Sequence, residues 1–296
     1  MLHRALADVS VADVVAGLRS VPRSALAAAV ALTVVSYLVQ TLYDLIALRY
    51  VGSTLGWPRI APHAFCAMAV GHSVGASALS GGAIRYRAYT AAGLSVAQVA
   101  RILAFYPLTY ALGAATLLGV TLMLEPAAAP GGERFGSTAV RLGGMSLCIV
   151  PLLWLLWATR RWRPIALGSW RIEAPSPPLA VAQIALAVTD ILIVATVLYL
   201  LVPAADLGFV VFVGLYTIAV TIGSVSGVPG GLGVIEGMLL VLLPDIASAA
   251  LLGAVLLWRL IYYLVPLAIA LALLGWQLLR ERRAASAKGG RREGGR

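Results

Sequence analysis

The chain has 296 residues, of which 61% are hydrophobic and 11% charged, and its mean hydropathy is +0.94. Soluble domains carry about 45–50% apolar and about 25% charged residues, so this composition excludes a water-soluble fold and predicts an all-α, polytopic transmembrane bundle. The formal charge of +10 then reads as membrane topology, and no nucleic-acid partner is expected.

In chain order, residues 1–23 alternate Arg4, Asp8, Asp13, Arg19 and Arg23 with Leu2, Leu6, Val9, Val14 and Leu18. That pattern fits a helix on the membrane surface or a solvated leader. The first long apolar run starts only after Pro22, unlike a cleavable signal peptide.

A hydrocarbon core of about 30 Å takes about 20 helical residues. About eight membrane segments, with Gly-rich broken or re-entrant helices, are predicted in a domain at residues 24–280. A basic, unstructured cytoplasmic tail at 281–296 follows.

The first segment, near 25–48, puts Gln40 and Asp44 on one face, a helical turn apart. The second, near 64–81, holds His72, read as a packed residue in preference to a proton carrier, and small residues that favour close helix contact. It ends at Gly81-Gly82, read as a helix break beside Arg85 and Arg87. Further segments lie near 101–124, 142–158, 179–202 (with Asp190 close to its middle) and 207–226. The second break is Pro229-Gly230-Gly231, with Glu236 close behind. Residues 231–243 span about 20 Å as helix, which predicts a half-helix. The last segment, near 246–279, buries Arg259.

Placing both termini in the cytoplasm with eight crossings puts most arginines inside, as the positive-inside rule requires. In that topology both breaks face the cytoplasm. Asp44 with Asp190, and Gly81 with Gly230, then suggest two halves related by a parallel repeat.

Asp44, Asp190, Glu236 and Arg259 lie in or beside apolar segments, where each costs about 2.5–3.5 kcal/mol at a helix centre. Each should therefore face the bundle interior and find a partner. One reading has Arg85 and Arg87 attract a lipid phosphate, helped by N–H groups exposed near the glycines Gly81, Gly82, Gly230 and Gly231, with Pro229 as part of the second break. Asp190 and Glu236 would balance the charge or receive a cationic headgroup. The other reading has the ions pair only to lock the bundle.

Residues 71–75 match the G-x-S-x-G pattern of serine hydrolases but lie in an apolar helix, not a strand–turn–helix elbow. The three histidines form no metal-binding cluster with Cys or Glu, and the glycine-rich runs lack the Lys-Ser/Thr of a phosphate loop. No metal and no cofactor are expected.

Three stretches carry a resemblance: YDLIALR at 43–49, ALSGGAIRYRAY at 78–89 and VPGGLGVIE at 228–236. Over about residues 24–280 the chain resembles the N-terminal transmembrane region of the lysylphosphatidylglycerol synthase/flippase family, the bacterial multiple peptide resistance factors. The resemblance implies an inner-membrane protein that moves aminoacylated phosphatidylglycerol to the outer leaflet and so lowers sensitivity to cationic peptides. By motif position it implies functional roles for Asp44, Arg85 and Glu236. Full-length members continue into further helices and a soluble transferase domain that uses charged transfer RNA. This chain ends at Arg296, which predicts a stand-alone flippase-like module without aminoacyl transfer, working as a homo-oligomer or beside a separate synthase. Two other readings stay open: a scaffold for lipid or glycan synthesis that transports nothing, and an intramembrane transferase acting on a lipid phosphate.

Overall fold

The structure, a computed structural model, describes residues 21–74, 77–130, 132–160, 165–167, 170–202 and 207–293. The predicted surface segment lies almost entirely outside these residues. Eleven α-helices and one small hairpin follow in order: α1 (Arg23–Tyr50), α2 (Trp57–Val74), α3 (Ser77–Ala91), α4 (Val96–Leu124), the one-turn α5 (Gly132–Phe135) and α6 (Ser137–Arg160). Then come β1 (Ile165–Leu167) paired antiparallel with β2 (Trp170–Ile172), α7 (Pro177–Leu201), α8 (Phe209–Val225), α9 (Val234–Leu242), α10 (Ser248–Arg259) and α11 (Val265–Glu293). A π-helical turn, Leu260–Leu264, joins α10 to α11.

Five helical units among the described residues are long and apolar enough to span a bilayer: α1, α4, α6, α7 and the α10–α11 unit. Their outer faces are apolar and exposed, as lipid contact requires; Leu142, Met145, Ile149, Leu152 and Leu153 of α6 are examples. Inside, Gln183 ties three helices together. It donates to Thr109 Oγ1 at 2.8 Å and accepts from Trp154 Nε1 at 3.0 Å.

Cross-helix contacts fix the directions. Tyr50 donates to the Glu173 carbonyl (2.9 Å), Gln98 to the Val51 carbonyl (3.2 Å), and Arg101 pairs with Glu173 at 3.7 Å. The end of α1 and the starts of α4 and α7 therefore share one end of the bundle, here the Tyr50 end. The ends of α4 and α7, and the start of α1, lie at the other, the Leu124 end.

The remaining helices turn back. A Cβ at Gly81 would come within 2.4 Å of the Ala67 carbonyl oxygen, and one at Gly82 within 3.3 Å of Leu103 Cδ1. Helices α2 and α3 thus form an antiparallel hairpin that enters from the Tyr50 end and returns to it. Its tip reaches the middle of α1, where His72 lies 6.3 Å from the Tyr37 ring. Helices α8 and α9 form a second hairpin from the Leu124 end: Tyr199 of α7 packs on Phe209 at the start of α8, and a Cβ at Gly223 would strike Ile235. Its depth is marked by Tyr110, at the middle of α4, which meets Thr221 at 3.0 Å.

Several sequence expectations change here. Gly81 and Gly82 do not break a helix; both sit inside α3, and the boundary between α2 and α3 lies earlier, with α2 ending at Val74 and α3 starting at Ser77. A glycine lowers helix propensity, but backbone groups without water must bond internally, which keeps the helix intact. The two hairpins enter from opposite ends, so the halves are arranged in inverted fashion, not in parallel with both breaks on one face. With five full-length units and two re-entrant hairpins, Arg23 and the end of α11 lie at opposite ends. Helix also continues to Glu293, through the stretch predicted to be unstructured; its Ala, Arg and Glu residues propagate a helix already nucleated by the spanning segment.

Candidate ion-pair and broken-helix site

The second break is where the sequence places it. Gly227, Gly230, Gly231 and Gly233 all have positive φ, which glycine adopts without steric cost, and Pro229–Gly231 forms a single 3-10 turn between α8 and α9. Arg259 holds this turn. It donates to the Gly230 carbonyl at 2.8 Å and the Gly231 carbonyl at 3.3 Å, and its fork also pairs with the Glu236 carboxylate. Glu236 in turn accepts from the Gly233 N–H at 2.9 Å, so one carboxylate caps α9 and anchors the arginine. A Cβ at Gly230 would lie 3.4 Å from the His72 carbonyl oxygen. The tips of the two hairpins therefore meet.

A second ion pair lies nearer the Tyr50 end. Arg85 donates to both oxygens of Asp44, from Nε at 2.9 Å and Nη2 at 3.0 Å, and both side chains are buried. The Tyr89 and Tyr106 hydroxyls also donate to Asp44, and the guanidinium lies 4.0 Å from the centroid of the Tyr106 ring. Tyr89 is one turn beyond Arg85 on α3, so a single helix face supplies both donors. Asp44 thus has four donors and a counter-charge, the arrangement a carboxylate needs away from water.

Asp190 occupies a third cluster. It accepts from Ser36 Oγ at 2.7 Å and from Gln40 Nε2 at 3.2 Å to each carboxylate oxygen. Gln40 also approaches Tyr262, at 2.6 Å, and Ser36 lies 3.1 Å from the same hydroxyl.

The structure thus corrects the expected pairing. Asp190 and Glu236 do not balance Arg85 and Arg87: Asp44 takes Arg85 and Glu236 takes Arg259. Nor do Arg85 and Arg87 form one clamp. They are two residues apart on α3, so they point to opposite sides, and Arg87 is exposed where Arg85 is buried. Gly81 and Gly82 contribute close packing instead of free N–H groups. Pro229, Gly230 and Gly231 do form the break, with the Gly230 and Gly231 carbonyls turned toward Arg259.

Sequence reasoning missed Tyr89, Tyr106, Ser36 and Tyr262. A polar stripe at Ser36, Gln40 and Asp44, spaced by four along an apolar helix, was the available signal for Ser36. The tyrosines gave none, since membrane helices use them also as packing residues. His72 stacks on Tyr262 with ring centroids 6.1 Å apart, as a packed residue would. Among the described residues no group of three His, Cys, Asp or Glu side chains is placed to hold a metal ion.

Comparison with known proteins bears on this geometry. Residues 1–270 match the family described as the lysylphosphatidylglycerol synthase TM region. The chain is 35% identical over 283 residues to an uncharacterized protein, slr0712, of Synechocystis, covering 94% of this chain and 87% of that one. It is 26% identical over 257 residues to the inner membrane protein YbhN of Escherichia coli, covering 86% and 80%. A phosphatidylglycerol lysyltransferase of Staphylococcus epidermidis is 41% identical over 83 residues, which are 27% of this chain and 10% of that enzyme. With its bundle of spanning helices, the chain belongs to the lysylphosphatidylglycerol synthase transmembrane-region family.

Proposed function

We propose that the protein is an inner-membrane translocator that carries phospholipid, aminoacylated phosphatidylglycerol included, between the two leaflets, affecting surface charge and sensitivity to cationic peptides. The observation that carries this reading is the exposed turn between α8 and α9. Residues Ser224–Pro229 are exposed, and they adjoin the meeting point of two hairpins close to mid-bundle. Backbone leaves a helix at membrane depth only where protein or water surrounds it, so this exposed turn reads as the lining of a wet vestibule. Broken helices entering from opposite sides toward a midplane site are a recurrent transporter arrangement. A lipid headgroup crossing there would pass the Glu236–Arg259 pair.

Sidedness follows from the cations. Arg49, Arg59, Arg87, Arg101, Arg160 and Arg280 gather toward the Tyr50 end, while the Leu124 end carries Arg23, Arg134 and Arg141 beside Glu125 and Asp245. The Tyr50 end is therefore placed in the cytoplasm. On this reading the end of α11 is cytoplasmic and the start of α1 is outside.

A second reading, a lipid-binding scaffold without transport, draws on the fact that each buried arginine already has its carboxylate. Reconstitution into liposomes with fluorescent phosphatidylglycerol or its lysyl derivative separates the two, since only a translocator moves the probe between leaflets.

A further inference from the structure

Asp190 differs from the other two membrane carboxylates in its company. Asp44 and Glu236 each face a guanidinium. Among the described residues Asp190 faces only neutral groups: the Ser36 hydroxyl and the Gln40 amide bond it directly. The titratable side chains that act on it from the packed elements are Tyr37 and Tyr43 of α1, Tyr110 of α4, Tyr216 of α8 and Tyr262 of the π-turn. All are tyrosines, and none supplies a positive charge. Arg259, three residues before Tyr262, is held by Glu236 and the two glycine carbonyls. An ionised carboxylate near the middle of a spanning helix without a counter-charge is costly, and a proton removes that cost.

The surroundings suit both protonation states. Gln40 is 1% exposed, and its Nε2 is within hydrogen-bonding distance of four oxygens, on Ser36, Asp190 and Tyr262. Its Oε1 has no partner at all. An amide nitrogen has only two protons to give. With its nitrogen toward Asp190, the amide serves the carboxylate; turned over, its oxygen accepts the carboxyl proton and the Tyr262 hydroxyl. Around the same tyrosine, His72 Nδ1 and the fully buried Trp258 Nε1 also lack partners. Tyr262 stacks with both rings at 6.1 Å. His72 adjoins the tip of the α2–α3 hairpin, and Trp258 precedes the arginine that holds the other hairpin. A change at Asp190 thus has a short route to both broken helices.

We propose that Asp190 is a reversible proton-binding site, with Ser36, Gln40 and Tyr262 as its hydrogen-bonding shell, and that proton passage through it drives the lipid movement. The coupling half of this rests on the translocator reading; the proton site does not. Contacts of 2.6–3.4 Å tie Ser36, Gln40 and Tyr262 to one another beside the partly buried carboxyl, so a proton reaches it without displacing this shell.

Two measurements on the full chain in liposomes test it. Infrared difference spectra between acid and alkaline samples should contain a protonated-carboxyl band that Asp190→Asn removes. No such band, or an Asp190 signal that follows sodium instead of pH, overturns the proton site whether or not lipid moves. In the second, a pH step of one unit is imposed with the membrane potential clamped. For each proton coupled to a lipid, the steady-state leaflet ratio of fluorescent phosphatidylglycerol should shift by up to about tenfold, and the shift should vanish in Asp190→Asn. A wild-type ratio that ignores the pH step while lipid equilibrates overturns the coupling. The band without any lipid movement leaves the proton site standing and removes the translocator reading.

Discussion

Arg85 reaches across from α3 to clasp both oxygens of Asp44 on α1, at 2.9 and 3.0 Å, with neither side chain open to the surroundings. Removing one partner from such a pair strands the other. Arg85→Ala should cost about 3–5 kcal/mol of stability, seen as a lower thermal transition in detergent. The double variant Asp44→Asn/Arg85→Gln should recover more than half of that loss, because no bare charge remains. A double variant as unstable as Arg85→Ala would mean that the charge itself is not the issue.

The two adjacent glycines of α3 should behave differently. A Cβ at Gly81 meets the rigid Ala67 carbonyl at 2.4 Å, whereas one at Gly82 meets the flexible end of Leu103 at 3.3 Å. Gly81→Ala should destabilise by about 1–3 kcal/mol as an overpacked helix contact, and Gly82→Ala by clearly less. Equal effects in a thermal melt would contradict the close α2–α3 hairpin.

Arg259 stitches the second break through its planar fork, which a lysine does not reproduce. Arg259→Lys keeps the charge but loses bonds to the Gly230 and Gly231 carbonyls. Faster amide hydrogen exchange confined to residues 226–237 is expected, with α4 and α7 unchanged. Uniform exchange across the chain would place the role of Arg259 elsewhere.

The wet vestibule is open to chemical labelling. In a background of Cys66→Ser and Cys148→Ser, Ser226→Cys should react with a hydrophilic maleimide in intact liposomes. Leu153→Cys, on the exposed apolar face of α6, should not. Protection of Ser226→Cys to the same degree as Leu153→Cys would place the turn against lipid.

The sequence made the ions legible but not their partners. Asp44, Arg85, Asp190, Glu236 and Arg259 stand out because charge is rare in apolar helices. Which carboxylate meets which arginine depends on helix packing, and distance along the chain is no guide: Asp44 finds Arg85, and Gln40, one turn before it, reaches Asp190 instead. The turn at Pro229-Gly230-Gly231 is readable because four glycines and a proline cluster within seven residues there, and all four glycines take positive φ. The pair Gly81-Gly82 looked alike on paper yet stays helical, since a glycine permits a break without compelling one. The opposed entry of the hairpins was hidden for a related reason. Helix α2, with 18 residues, and α8, with 17, approach the length of a full crossing, and only their contacts with the middles of α1 and α4 reveal that they turn back.

Lipid movement past the Glu236–Arg259 pair can be followed by dithionite quenching of fluorescent phosphatidylglycerol, or its lysyl derivative, in proteoliposomes. Dithionite reaches only the outer leaflet, so a translocator raises the quenched fraction well above that of empty liposomes. Wild-type protein should give that rise, and Glu236→Gln that is folded and present at equal amount should lose it. Quenching no greater than in empty liposomes, with either lipid and well-folded protein, would contradict the translocator reading and favour the scaffold.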